Sequence, residues 1–325
     1  MITIKNILCP VDFFPASDAA VNYAAGLAGN YEAGLHLLHV ITPAAVGTYE
    51  YAIDTTEIMK SMEKRSTDEL VKLATKLKEA GVNAEFEIRV GDVYEEIKEV
   101  IEIVKPGIIV MGTHGRRGVG RWFLGSTTEK LLRHSPVPMI TINSPGEKVA
   151  PPCFKRILVT TDFSEGTPDA LAYAFSVAQE NDSQISLLHV VHDVAADISG
   201  KYRESLIEGV KRHLEDLVPV EAANWCNVYT RVRTGVPYRV ILSMLEDEKI
   251  DLLVMNIHGK GMLDRALLGS TAERVVRVAP CPVMLIPPLK KRNRRVEHGL
   301  EATARLRRGE KYPLPLKALH NGSVE

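Results

Sequence analysis

The sequence predicts an α/β protein built as two tandem doubly wound, Rossmann-like domains, each a five-stranded parallel sheet, and three observations carry the prediction. The first is a long internal repeat. Ile7-Leu8-Cys9-Pro10-Val11-Asp12-Phe13 returns as Ile157-Leu158-Val159-Thr160-Thr161-Asp162-Phe163, and Leu37-Leu38-His39-Val40 returns as Leu187-Leu188-His189-Val190, both 150 residues on. Farther along the spacing is 144, with Arg89-Val90-Gly91 answered by Arg233-Thr234-Gly235 and Pro136-Val137-Pro138 by Pro280-Cys281-Pro282. One long period means two copies of a domain, because a solenoid repeats many times over a short period. The second observation is the regular exchange of strand-like and helix-like periodicity within each copy. The third is that Ile108–Met111 and Leu252–Met255 are apolar at every position, as strands are when helices cover both faces of a parallel sheet.

In copy one the elements read in order as follows. A strand over 4–11 leads to a helix at 15–29, opened by Pro15 at a position where a missing N–H costs nothing. A strand over 35–41 precedes a long amphipathic helix over 57–80. A strand over 83–90 and a helix over 93–104 come next, then the apolar strand 108–111, a helix over 126–134 and a last strand over 138–142. Right-handed crossovers between parallel strands give the doubly wound topology, whose ligands sit beyond the C-terminal strand ends. Asp12, Val40 and Gly112 lie at or just beyond three such ends, so the sequence brings them to one rim. The change of spacing from 150 to 144 places a six-residue difference between Val40 and Arg89, in the loop 42–56 or the helix after it.

The expected organisation is a first domain over 1–143, a Pro/Gly-rich linker over 144–153, a second domain over 154–288 and a basic tail over 289–325. The tail has ten Lys/Arg from Lys290 onward against four Asp/Glu, few large apolar residues, and the composition of a mobile segment. The rest of the chain balances it to a net charge of −1, which argues against a nucleic-acid surface. No apolar run reaches the roughly 18 residues a membrane span needs, and the start lacks a secretory pattern, so the protein is expected in the cytoplasm. Four cysteines at 9, 153, 226 and 281 form neither a C-x-x-C pair nor a metal-ligand spacing; most read as small core residues.

The stretch with chemical content is Gly112–Glu129, GTHGRRGVGRWFLGSTTE, between the fourth strand and the fourth helix. Its glycines are spaced G-x2-G-x9-G-[ST], unlike a Walker A loop or a dinucleotide G-x-G-x-x-G. Gly112, Gly115 and Gly125, followed by Ser126 and Thr127, place small residues where a phosphate needs close backbone approach to a helix N-terminus. Part of this has a plain structural reading. Ser126-x-x-Glu129 and Ser270-x-x-Glu273 fit capping boxes, Asp12 fits a turn or cap before Pro15, and the histidines 39, 114, 189 and 258 read as hydrogen-bonded groups rather than metal ligands.

Early Asp-Phe, Leu-Leu-His-Val, Met-Gly-Thr-His-Gly, Gly-Ser-Thr and Pro-Val-Pro, in that order, resemble the universal stress protein family across residues 1–288, twice over. The spaced glycines resemble those of its ATP-binding branch. The resemblance implies ATP as ligand, with Mg²⁺ able to accompany it. It implies Asp12 beside the adenosine, Val40 offering backbone to the adenine, and Gly112 and Gly115 along the ribose-to-phosphate path. Gly125, Ser126 and Thr127 would hold the outer phosphates, with Arg121 adding charge. A second, weaker site would use Asp162, Val190, Gly259, Gly269, Ser270 and Thr271; Asn256 stands where copy one has Gly112 and is expected to intrude where a ribose would lie. No catalytic base, nucleophile elbow or metal ligand set is recognisable, so a regulatory ATP-binding stress-response protein with little turnover is expected. A slow ATPase or autophosphorylating enzyme and a nucleotide-independent scaffold are the alternatives. The last strands of the two copies offer edges for an intrachain pseudo-dimer, and pairing of whole chains or with an unidentified protein partner is compatible with the sequence.

Overall fold

The computed structural model describes residues 4–43, 55–113, 124–143, 151–192, 200–224, 226–257, 259 and 268–287. Copy one contributes β1 (Asn6–Pro10), α1 (Pro15–Tyr31), β2 (Gly34–Ile41), α2 (Thr55–Glu79), β3 (Ala84–Val90), α3 (Val93–Val104), β4 (Ile108–Gly112), α4 (Ser126–His134) and β5 (Met139–Ile142). Copy two repeats the order with β6 (Arg156–Thr160), α5 (Thr167–Asn181), β7 (Gln184–Val191), α6 (Gly200–Asp216), β8 (Asn227–Thr234), α7 (Pro237–Asp247), β9 (Leu252–Asn256), α8 (Ser270–Val278) and β10 (Val283–Ile286). Among the described residues, no helix is long and apolar enough to cross a membrane.

All ten strands form one sheet in the order β3-β2-β1-β4-β5-β10-β9-β6-β7-β8. Each half is parallel in the doubly wound order, and the halves join where β5 and β10 pair antiparallel, Ile140 opposite Met284. Both of those side chains are fully buried. The edges that the sequence left open on the last strands therefore close on each other, which removes two template edges from solvent. Because the junction is antiparallel, the strands of the two copies point in opposite directions, and their C-terminal rims lie on opposite sides of the molecule.

Two apolar layers flank the sheet, one under α1, α2, α5 and α6 and the other under α3, α4, α7 and α8. Strand residues alternate between them: Ile7 and Cys9 face the first layer, Leu8 the second. Leu70 and Leu214 are both fully buried and stand 144 apart, so the length difference between the copies falls before Leu70. The helices also end differently. Helix α2 runs to Glu79, whereas α6 stops at Asp216 before Pro219, which cannot supply the N–H a continuing helix needs, and a 3-10 turn over Val220–Asn224 follows. Cys9 and Cys226 are buried and Cys153 is exposed, all of them free thiols.

Candidate functional site

In each copy the strand order reverses between the first and fourth strands, β1 and β4 or β6 and β9, and a crevice opens beyond their C-terminal ends. In copy two the crevice contains a cavity of about 290 Å³. Its lining includes Asp162, Val190, Gly259, Gly269, Ser270 and Thr271, so all six residues expected of the second site meet in one place. The sheet explains why Val190 can serve. Leu188 accepts from Thr161 N–H at 3.0 Å, and in a parallel strand alternate residues address the same neighbour, so Val190 turns its peptide groups toward a β6 that has already ended. The same holds for Val40 in copy one, where Leu38 accepts from Val11 N–H at 2.8 Å.

Asp12 and Asp162 occupy matching turns. Asp12 accepts the Phe14 N–H at 3.1 Å and Asp162 the Ser164 N–H at 3.0 Å. The residue after each, Phe13 or Phe163, sits at φ 62° or 59°, a left-handed conformation that costs a bulky side chain roughly 1–2 kcal/mol. The phenyl ring compensates by packing on a histidine: ring centroids are 4.7 Å apart for Phe13–His39 and 4.6 Å for Phe163–His189. Each histidine donates from Nδ1 to a main-chain carbonyl, Val11 or Thr161, at 2.8 Å. These are positioning groups, as expected of hydrogen-bonded histidines. The carboxylate of Asp162 lies over the glycine loop, since a methyl built on Gly259 would come 2.9 Å from its Oδ2. A side chain there would displace the carboxylate.

At the helix the structure corrects the sequence reading. Ser126 and Ser270 are first helical residues, not caps; the cap positions are Gly125 and Gly269, which have no side chain to bond with. Glu129 and Glu273 do not reach back as capping boxes require but pair forward, with Arg133 and Arg277. The first N–H to bond back is that of Glu129, to the Gly125 carbonyl at 2.9 Å, with Glu273 and Gly269 alike. The N–H groups of residues 126–128 and 270–272 thus precede the first intrahelical bond, and a first turn without a side-chain cap is open to an external acceptor. Sequence reasoning passed over Thr128, whose hydroxyl donates to the Gly112 carbonyl at 3.1 Å and fixes α4 against the end of β4. Ala272 stands at the matching position of copy two.

The second correction concerns Gly112 and Asn256. A methyl on Gly112 would lie 2.7 Å from the Ala16 carbonyl oxygen and 3.0 Å from its Cβ, so α1 alone demands a glycine there. In copy two the residue matching Ala16 is Gly166, and Asn256 fills the space vacated: a methyl on Gly166 would come 3.1 Å from the Asn256 amide. The amide orientation that satisfies both partners has its nitrogen donating to the Gly166 carbonyl at 3.0 Å and its oxygen accepting from Thr167 N–H at 3.1 Å. Asn256 therefore bonds to the start of α5 and at the same time lines the cavity, in the place where copy one has a glycine. Gly115, Arg121, His114 and His258 lie outside the described residues. Among the described residues no group of three His, Cys, Asp or Glu could hold a metal ion.

Comparison with known proteins agrees with this architecture. A model of the Universal stress protein family matches residues 3–143 and again 154–287. A universal stress protein of Mycolicibacterium smegmatis is 28% identical over 298 residues, spanning 88% of this chain and 98% of its own length. A shorter universal stress protein of Methanocaldococcus jannaschii is 34% identical over 145 residues, 42% of this chain and 85% of its own. The crystal structure of a universal stress protein from Archaeoglobus fulgidus is similar at TM-score 0.66 and 25% identity, covering 87% of this chain and 96% of the other. With both halves matched and the fold shared, the chain belongs to the universal stress protein family, as two such domains in tandem.

Proposed function

We propose that the protein binds ATP as a regulatory ligand with little or no turnover, mainly in 1–143 and at a second, weaker site in 154–288, with 144–153 their linker and 289–325 an appended tail. The observation that carries the reading is the cavity of copy two, which gathers an Asp for ribose hydroxyls, the open backbone of Val190 and the uncapped first turn of α8. Those are the parts of a nucleotide site: a carboxylate accepts from hydroxyls, and free N–H groups with the helix dipole accept phosphate. Copy one supplies the matching Asp12, Val40, Gly112, Gly125, Ser126 and Thr127, with Gly115 and Arg121 assigned to the same site by sequence alone.

Low turnover is part of the same proposal, and the described lining is compatible with it. Asp162 is the cavity's one carboxylate among the described residues, and one of its oxygens is engaged in the turn that shapes the site. Occupancy, rather than hydrolysis, is then the signal, and a stress response would read it through a change of surface or partner. Mass spectrometry of small molecules released from the purified protein tests the ligand, and calorimetry with ATP, with and without Mg²⁺, tests the sites. ATP released from the protein, or a titration saturating at two per chain, is the expected result. Neither carried nor added nucleotide binding at millimolar concentration would leave the scaffold reading in its place.

A further inference from the structure

Two arginines stand on the helices that frame the second cavity. Pro237, Ser270 and Thr271 line it, and the arginines stand close behind them: Arg239 two residues along α7, and Arg274 one turn along α8 from Ser270. Side chains on a helix lean toward its N-terminus, which brings Arg274 back over the first turn of α8. Tyr238 gathers both. The Arg274 guanidinium lies 4.8 Å from the centre of its ring, and Arg239 donates from Nε to its hydroxyl at 3.0 Å. That bond and the neighbouring positive charges pull the Tyr238 phenol below the ordinary tyrosine pKa. Among the described residues neither arginine has a carboxylate partner within ion-pair distance; both lie against the tyrosine.

The same places in copy one are built otherwise. Tyr94 keeps the aromatic position, and Lys130 takes that of Arg274, 5.7 Å from the ring centre. Glu95 replaces Arg239 and pairs with Lys98 at 3.1 Å, and the first turn of α3 carries Glu95 and Glu96 behind an Asp92 cap. The first turn of α7 has no acid. Among the described residues of these helices, copy two thus sets two forked guanidiniums without a carboxylate partner near the first turns of α7 and α8, and copy one sets one ammonium among carboxylates. A guanidinium pair suits terminal phosphates, because its planar donors meet two oxygens at once where an ammonium acts as a point charge. The cavity is also small for a whole nucleotide, near the lower end of the roughly 300–1,000 Å³ usual for ligand sites, so the outer phosphates would extend to its mouth.

We infer that Arg239 and Arg274, gathered on Tyr238, form a subsite for the terminal phosphates of the nucleotide, through which copy two distinguishes triphosphate from monophosphate. The inference rests on the nucleotide reading above. Its test uses the full chain and photo-crosslinking with 8-azido-ATP and 8-azido-AMP, each label mapped by mass spectrometry to 1–143 or 154–288. In the variant Arg239→Gln with Arg274→Gln, half-saturation of copy two by the triphosphate should rise about tenfold, the loss of charge-assisted hydrogen bonds, and by the monophosphate less than about twofold. Labelling of copy one should not move. In Arg239→Glu with Arg274→Lys, which places the residue types of Glu95 and Lys130 at these positions, the triphosphate preference of copy two should fall likewise. An unchanged triphosphate half-saturation overturns the subsite, as does an equal loss for both nucleotides, which would make the arginines merely structural. No specific label on copy two of the unaltered protein would refute the nucleotide reading for that copy, and the subsite with it.

Discussion

The exchange of Gly112 with Ala16 for Asn256 with Gly166 predicts a strong non-additivity. Gly112→Asn in copy one forces a side chain into space where even its first carbon lies 2.7 Å from the Ala16 carbonyl oxygen, and overpacking of this kind costs about 1–3 kcal/mol. Ala16→Gly alone costs about 0.5–1 kcal/mol in backbone entropy. If the sites were independent, the double variant would lose the sum. If copy one can adopt the arrangement of copy two, the new asparagine donates to the residue-16 carbonyl and accepts from the residue-17 N–H, as Asn256 does with Gly166 and Thr167. The double variant should then cost little more than Ala16→Gly, a coupling of at least ~1 kcal/mol. Urea unfolding, with hydrogen exchange of copy-one peptides because a two-domain chain need not unfold in one step, measures it. Equal cost of Gly112→Asn in both backgrounds, within about 0.5 kcal/mol, would refute the reasoning.

Other consequences are open to measurement. Ser270→Asp should stabilise α8 by roughly 0.3–1 kcal/mol through the helix dipole while lowering ATP affinity of copy two at least about tenfold by repulsion, and calorimetry beside urea melts would show opposite signs. Ile140→Glu places a charge in the fully buried seam opposite Met284 and should cost more than about 4 kcal/mol, read as faster proteolysis between the two halves. At pH 8 a small alkylating agent should label Cys153 and spare Cys9, Cys226 and Cys281; burial pushes the Cys226 thiol up to about 11 and that of Cys281 to about 12, and raises Cys9 as well. These are acids whose folded pKa exceeds the reference value of 9.0, so the native state keeps protons that the unfolded chain releases. Stability should therefore fall as pH rises from about 9 toward 11.

The elements were legible because each obeys one periodicity without exception: Ile108–Met111 can only be a doubly covered strand, and α3 and α4 begin where the sequence puts them. The six residues expected of the second site line one cavity; topology carries the strand ends at Asp162 and Val190 to one rim, and the family resemblance supplied the rest. What sequence could not give is what a residue leaves out. Gly112 reads as room for a ligand, yet it is first room for Ala16, whose distance along the chain hides the contact. Ser126 reads as a cap because serine prefers that place, and a shift of one residue hands the place to Gly125 and leaves the turn uncapped. A comparison of positions 16 and 166 beside 112 and 256 would have exposed the first error.

The antiparallel seam between β5 and β10 decides how two sites in one chain can behave. It turns the rim of copy one away from that of copy two, so no single ligand of nucleotide size can bridge them, and each must be occupied separately. What joins them is local to the seam. Thr113, whose carbonyl accepts from Gly125 N–H at 2.9 Å beside the first site, shares its hydroxyl between the Ile142 carbonyl and Asn143 Oδ1, each at 3.4 Å. The Asn143 amide donates to the Arg277 carbonyl at 2.9 Å, at the C-terminal end of the helix whose other end is the phosphate-facing turn of copy two. The reverse path is missing, because Ile257 and Pro287 stand where copy one has Thr113 and Asn143. Asn143→Ala, which removes the donor to those carbonyls, should cost about 1 kcal/mol and should be felt in the hydrogen exchange of α8 as well as of β5. A change confined to β5 would show that the bridge carries nothing across the seam.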